Sequence, residues 1–324
     1  MMGRLDSIDR SLSNIWYSWY TFRRGKKRNF ELDAFSYDLE ANLLSLHKDL
    51  VNGTYKHGPY KTFILTDTKK RTISVAQTRD KIVHRLLYDY LVGQFDKIFI
   101  YDAWSCRKKK GLIGAIERTQ GNLTKYRYGY VWRGDIAKFF DTIDQEVLKK
   151  QLRRRVKDKN ALKIIDEIIG SCSSYIPGKG MPIGNLSSQI FTNIYLHELD
   201  RYIMHVIKPL AYVRYGDDFI IISDDFEHLQ LCRENLVVFI DQILKISIHA
   251  TNNIIIPVQR GIHFLGCDIF PNGRRLRKRV YNRIRQRLNY QNSSSYRAVV
   301  SAHAKKKMIK WVDWNIMNML ADQL

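Results

Sequence analysis

The sequence predicts an α+β fold in which a small antiparallel sheet is backed by helices. Two observations carry this reading. Short alternating runs come in pairs around turn residues, at 61–65 with 71–75 and at 211–214 with 219–222, the pattern of hairpins rather than of parallel strands. Between and after them lie longer segments whose apolar residues recur at helical spacing.

Taken in order, residues 30–51 predict a helix, with Leu43, Leu46 and Leu50 on one face, and Asn52-Gly53 ends it. The runs 61–65 and 71–75 predict two strands joined by the polar turn 66–70. Residues 77–98 predict a helix with Ile82, Val83, Leu86, Leu87, Tyr90 and Leu91 on its apolar side. A strand is expected at 128–133, a helix over 148–169 and a long helix over 187–207. Two short strands around a tight turn are expected at 211–223, and a helix over 226–244. The last fifty residues are basic and helical in pattern. No internal repeat or long linker interrupts the chain, so it reads as one continuous body.

Composition narrows the class of partner. The chain has 324 residues, 45% of them hydrophobic and 12% aromatic, ample for a folded core. It carries 54 Lys and Arg against 32 Asp and Glu, a net charge of +22. Folding does not require such an excess; it concentrates polyanions and is the footprint of a nucleic-acid binder. A membrane role is disfavoured, since no span approaches ~18 uninterrupted apolar residues. The polar N-terminal stretch does not resemble a signal peptide. Cys106, Cys172, Cys232 and Cys267 lie far apart without CxxC pairing, so they read as small buried hydrophobes rather than zinc ligands or disulfides. The nine histidines are scattered and predict no metal site.

The sharpest local feature is Tyr215-Gly216-Asp217-Asp218 between two apolar runs. Gly216 takes a positive φ cheaply, so the four residues fit a hairpin tip. Two adjacent carboxylates there repel each other. They are either a solvated acidic turn or half of a site for a hard cation such as Mg²⁺. A second acidic strand end favours the cation: Tyr130-Val131-Trp132-Arg133-Gly134-Asp135 closes an apolar strand with Asp135. Three carboxylates on neighbouring strands can hold two metals about 3.5–4 Å apart for phosphoryl transfer. Asp141 and Asp144 read as cap or turn residues.

These segments resemble reverse transcriptases. Asp135 with Phe140 five residues later resembles their motif A, and Tyr215-Gly216-Asp217-Asp218 their motif C. The resemblance spans roughly residues 35–275 and implies a right hand of fingers (1–120), palm (121–272, with a helical insertion at about 145–180) and a short helical thumb (273–324). It implies catalytic Asp135, Asp217 and Asp218, with metal ligands Asp135, Ile136, Asp217 and Asp218. Two Mg²⁺ ions, with Mn²⁺ as a substitute, and dNTP substrates go with it. An aromatic residue at Phe140 would exclude a 2′-hydroxyl and select deoxynucleotides. Arg71 would approach the triphosphate; Lys69 either assists or is a solvated turn charge. Tyr101-Asp102-Ala103-Trp104-Ser105-Cys106-Arg107 resembles the second fingers motif, with Arg107 lining the nucleic-acid path. Lys245 is the nearest residue to the motif D lysine, but its spacing is loose and it is left out of the catalytic set.

Motif B is the most discriminating segment. Most of the family has Gln-Gly-x-x-x-Ser-Pro there, whereas this chain has Ile183-Gly184-Asn185-Leu186-Ser187-Ser188-Gln189. That departure resembles the reverse transcriptases of diversity-generating retroelements, and implies nucleotide contacts from Ile183, Gly184 and Gln189. Arg260-Gly261-Ile262-His263-Phe264-Leu265-Gly266 resembles the primer grip of that group. Phe264, Leu265, Gly266, Tyr215, Arg277 and Lys278 are then expected on nucleic acid. Between Arg274 and Arg287 eight of fourteen residues are Lys or Arg, with Leu276, Val280, Ile284 and Leu288 at helical spacing. Trp311 and Trp314 read as core of this basic tail.

The resemblance implies copying of a template-repeat RNA into cDNA, with errors mainly opposite adenine. Implied partners are the template RNA, the RNA/cDNA hybrid and a basic oligomeric accessory variability protein, in the cytoplasm of a bacterial or phage-infected cell. The alternatives are a reverse transcriptase of another bacterial class (retron, group II intron-like or phage defence) and a non-catalytic RNA-binding protein on a polymerase scaffold.

Overall fold

The computed structural model describes residues 7–66, 70–172 and 176–321. The chain forms two compact units, each discontinuous in sequence. The first gathers Met1–Ile100, Ile136–Arg201 and Val238–Ser247; the second gathers Tyr101–Asp135, Tyr202–Val237 and Ile248–Leu324. The composition is mixed α/β, as expected.

The first unit is mainly helical. Its N-terminal helices are α1 (Leu12–Arg23), α2 (Phe30–Tyr37) and α3 (Leu39–Asn52), followed by a hairpin, β1 (Lys61–Thr66) and β2 (Lys70–Val75), and by α4 (Thr78–Phe95). The single helix expected over 30–51 is thus two, broken at Asp38. Gly53 ends α3 in the left-handed conformation, as its position implied. Helix α4 buries residues around most of its circumference, which marks it as the centre of the unit. Helices α1 and α9 (Leu186–Tyr195) pack on it.

The expected helix over 148–169 is also two. After the short turn α6 (Phe139–Thr142), α7 (Gln145–Arg155) and α8 (Lys159–Gly170) are separated at Val156-Lys157-Asp158. Asp158 caps α8 through Asn160 N and also accepts from Ile8 N, so the break is fixed by hydrogen bonds that apolar periodicity does not report. Likewise the long helix expected over 187–207 is α9, then α10 (His197–Tyr202), then a π-helical turn at Ile203–Ile207. Asp144 caps α7 through Val147 N, as expected.

The second unit is built on a four-stranded antiparallel sheet. Helix α5 (Leu112–Lys125) precedes β3 (Tyr130–Asp135), and β4 (Ala211–Tyr215) and β5 (Asp218–Ser223) form the central hairpin. Helix α11 (Phe226–Leu244) leads to β6 (Ile254–Pro257), and the order across the sheet is β4-β5-β3-β6. A second sheet joins β7 (Ile262–Phe264), β8 (Cys267–Phe270) and β9 (Gly273–Leu276). One core unites α5 with both sheets: Ile116, Leu123, Val131, Val213, Ile220, Phe264 and Ile269 are all buried in it. A smaller core lies among α12 (Lys278–Arg287), α13 (Ser293–His303) and α14 (Lys306–Ala321), where Leu276, Val280, Ile284 and Leu288 converge as their spacing implied.

Two expectations are corrected. Cys232 and Cys267 are buried and Cys172 is half-buried, but Cys106 is exposed. Trp311 packs on the core of the tail, whereas Trp314 is 63% exposed, because α14 turns it to solvent. Among the described residues no helix is long and apolar enough to cross a membrane.

Candidate active site

Strand β3 alternates its faces, as any strand does. Val131, Arg133 and Asp135 point one way, Trp132 and Gly134 the other. In the antiparallel register Asp135 stands opposite Asp218, and Gly134 opposite Phe219. The second pair explains the glycine. A Cβ on Gly134 would lie 2.2 Å from the Phe219 ring. With no side chain there, that ring lies across the strand and meets Trp132 edge-on, 5.5 Å between centroids. Asp135 and Asp218 are thereby seated side by side at the end of an otherwise apolar sheet.

The acidic hairpin is tight. Tyr215 pairs with Asp218, leaving Gly216 and Asp217 as the loop. Gly216 has φ +65° while Asp217 keeps a negative φ, the pattern of a type II′ turn. Beneath it lies Arg214, fully buried, whose Nη1 donates to the Gly216 carbonyl at 3.0 Å. Its backbone is held on the other side by residues 101–104: Arg214 N donates to Asp102 O and Trp104 N to Arg214 O, both at 2.9 Å. Asp102 is itself gripped by Arg118. A buried guanidinium is costly unless well bonded; here it pins the peptide that carries Asp217.

The carboxylates are tied to neighbours. Arg133 donates to both oxygens of Asp218 at 3.1 Å, and Asn252 Nδ2 donates to Asp135 Oδ2 at 2.8 Å. His249 N bonds the Asp135 carbonyl at 2.7 Å. Burial, together with the charges of Asp135 and Asp217, pushes the Asp218 carboxyl up to about 7 despite Arg133. The cluster is therefore short of positive charge. Hard oxygen donors with excess negative charge fit a divalent cation of the Mg²⁺ type. Among the described residues, no three His, Cys, Asp or Glu side chains close into an ion cage by themselves.

The remaining predicted residues divide between the units. In the first, Ile136 is buried and Phe140 half-buried, its ring edge-on to the buried Phe139. Phe140 O accepts from Met181 N at 2.8 Å. Arg71 is exposed on β2; Lys69 lies outside the described residues. The β1–β2 hairpin is joined to motif B by three bonds: Ser74 N to Ile183 O, Ala76 N to Asn185 Oδ1, and Asn185 Nδ2 to Ser74 O. Gly184, at φ +111°, permits this approach, since a Cβ would meet Ile73 at 2.9 Å. Gln189 is exposed on α9. Lys245 Nζ pairs with Asp144 Oδ2 at 3.2 Å, which gives it a structural partner.

In the second unit Arg107 is half-buried and donates to Ala103 O. Tyr215 is half-buried, and burial raises its hydroxyl pKa. Phe264 is 1% exposed, inside the core, so its side chain supports the Leu265-Gly266 turn rather than facing a ligand. Leu265 and Gly266 both have positive φ and are half-buried. Gly266 O accepts from Arg277 N at 3.1 Å, which joins that turn to the start of the basic tail, where Lys278 is exposed.

The sequence profile of the reverse transcriptase (RNA-dependent DNA polymerase) family matches residues 56–269, more than half of the chain. The chain belongs to the reverse transcriptase family. This makes it an RNA-directed DNA polymerase. Relatives of this reverse transcriptase include protein YkfC of Escherichia coli strain K12, 24% identical over 270 residues, 70% of this chain and 71% of that protein. The group II intron-encoded protein LtrA of Lactococcus lactis subsp. cremoris is 22% identical over 307 residues; 73% of this chain matches 50% of LtrA. The putative COX1/OXI3 intron 2 protein of Saccharomyces cerevisiae is 26% identical over 198 residues, 57% of this chain and 23% of that protein. The chain thus spans about half the length of the Lactococcus relative.

Sequence reasoning missed Arg133, Arg214 and Asn252 of this reverse transcriptase. The only local signal was that Arg133 and Arg214 are charged residues inside apolar strands, where a charge is expected only with a partner.

Proposed function

We propose that the enzyme copies a template-repeat RNA into cDNA with low fidelity, mainly opposite adenine, as part of a diversity-generating retroelement. The observation that carries this reading is motif B: Ile183 and Gln189 stand where most of the family has Gln and Pro. A glutamine at 183 could hydrogen-bond near the nucleotide sugar, and isoleucine cannot. Without that one orienting bond, discrimination falls by on the order of 1 kcal/mol, a several-fold effect. The surrounding backbone is rigidly held by Ser74 and Asn185, which supports a change in chemistry rather than in shape at this position.

In this reading Asp135, Asp217 and Asp218, with the backbone of Ile136, hold the divalent ions. Bound there, two Mg²⁺ ions would activate the primer hydroxyl and steady the leaving oxygen. The chain's own groups do the positioning. Arg214 and Gly216 set the turn that presents Asp217, and Gly134 makes room for the ring that backs Asp135. Asn252 orients Asp135, and Arg133 balances the Asp218 charge until a cation takes over. Arg71, with Lys69, would meet the triphosphate, and Phe140 would exclude a 2′-hydroxyl. An exposed lysine at the start of α12 and the turn at Leu265-Gly266 suit the primer–template backbone. The fingers, palm and thumb assignment made from sequence belongs to this proposal, as does an accessory variability protein as partner.

A second reading, a group II intron-like reverse transcriptase, is favoured by the match to LtrA over 73% of this chain. Primer extension separates the two. The purified protein would be given a primed RNA template, Mg²⁺ and either dNTPs or NTPs, with Asp217→Ala as control, and the products sequenced. DNA that disappears in the variant and carries errors clustered opposite adenine supports the proposal. Accurate DNA moves the enzyme to the second reading.

A further inference from the structure

Within the first unit lies a cavity of about 540 Å³ whose wall includes Phe22, Arg24, Lys26, Lys81, Arg85 and Gln189, and no carboxylate. Its positive charge is only partly balanced. Arg85 is held by Asp89 through two bonds of 2.7 and 3.0 Å. Lys81 stands 3.8 Å from Glu31, but that carboxylate is already taken by Lys61 at 2.7 Å and by Thr78. Arg24 and Lys26 are exposed and have no acidic partner among the described residues. Lys26 and Lys81 crowd the same Phe22 ring, 5.0 and 6.0 Å from its centroid. Cations gathered around one concavity and only partly neutralised are a seat for an anion.

The other walls say which anion. Gly184 and Gln189 of motif B form one side, and the Gln189 amide is exposed, with no hydrogen bond among the described residues. A free amide beside a phosphate-sized cluster of charge can meet the edge of an unpaired base. The volume suits about one nucleotide and excludes a double helix. Phe22, Arg24 and Lys26 also precede residue 56, where the match to the reverse transcriptase family begins. A third of the cavity wall is therefore supplied by the N-terminal helix α1 and the loop after it.

We propose that this cavity seats one nucleotide of the single-stranded template RNA, with Arg24 and Lys26 on its phosphate and Gln189 on its base edge. The proposal rests on the reading of the enzyme as an RNA-copying polymerase, and it can fail independently of it. The test uses the full chain and its Arg24→Gln/Lys26→Gln variant, with thermal melts to confirm equal folding. Binding of a labelled 12-nucleotide single-stranded RNA and of a 12-base-pair RNA–DNA duplex is measured by anisotropy across a salt series. The expected result is a several-fold loss of single-strand affinity, with the salt slope reduced by about 0.7 for each phosphate no longer neutralised. Duplex binding changes less. A second variant, Gln189→Ala, lowers single-strand affinity without changing the salt slope. Unchanged RNA binding in both variants overturns the proposal. So does equal loss on the duplex, or a rise in the KM for dNTP with RNA binding unaffected. Failure of the polymerase reading would instead appear as a wild-type protein that makes no DNA.

Discussion

Arg133 grips Asp218 with two parallel hydrogen bonds, Nε to Oδ1 and Nη2 to Oδ2, both 3.1 Å. The pair joins adjacent strands, and both side chains are 17% exposed. It places a fixed positive charge against the carboxylate of the site whose pKa is raised by burial and by its acidic neighbours. Replacing Arg133 with Gln should therefore lower stability by about 1–3 kcal/mol in the absence of divalent ions. In saturating Mg²⁺ the difference should shrink, because a cation then balances Asp218. Urea unfolding with and without Mg²⁺ measures both; an equal loss in the two conditions would mean Arg133 is only a structural strut.

Gly134 and Phe219 should behave as a coupled pair. Gly134→Ala alone forces the Phe219 ring from its place and should cost about 1–3 kcal/mol. Adding Phe219→Leu should recover part of that cost, which a double-mutant cycle in thermal melts detects. Additive losses would show that the ring's place across the glycine is unimportant.

Phe140 is half-buried, so trimming it removes little core. Phe140→Ala should raise incorporation of ribonucleotides relative to deoxynucleotides by about tenfold or more, through the ratio of kcat/KM values. An unchanged ratio would remove Phe140 from the nucleotide site.

A buried chain of hydrogen bonds in the first unit sets a pH dependence. The Gly58 carbonyl can only accept, so His57 Nδ1–H donates to it at 2.6 Å. His57 Nε2 then accepts from His84 Nε2–H at 3.1 Å, and His84 Nδ1 accepts from the Ser187 hydroxyl at 2.6 Å. Burial, with the nearby His57 and Lys81, lowers the His84 pKa to about 3. The unfolded chain binds the proton near 6.5, so this network stabilises fully above that pH and fades as pH falls toward 3. Relative to His84→Leu, the wild type should lose up to about 1.4 kcal/mol per pH unit below about 6.5. Denaturant midpoints at about pH 7.5, 6 and 5 test this, and parallel curves for the two proteins would contradict it.

The site's carboxylates were legible in the sequence because an acid at the end of an apolar strand breaks the pattern twice, at Asp135 and at Asp217-Asp218. The hairpin strands were legible for the same reason. What completes the site was not. Arg133 meets Asp218 across 85 residues and Asn252 meets Asp135 across 117, and no local spacing reports such pairings. Helix breaks at Asp38 and at 156–158 were hidden because apolar periodicity runs through them. Phe264 was read as a ligand contact from its motif, yet the core claims its side chain.

The low-fidelity proposal turns on Ile183, an apolar side chain on a segment whose backbone is bonded to Ser74. The decisive comparison is the error spectrum of wild type and Ile183→Gln on the same primed RNA template. Wild-type errors should concentrate opposite adenine and fall several-fold in the variant, with synthesis itself retained. Accurate copying by the wild type, or an error spectrum indifferent to residue 183, would contradict the assignment.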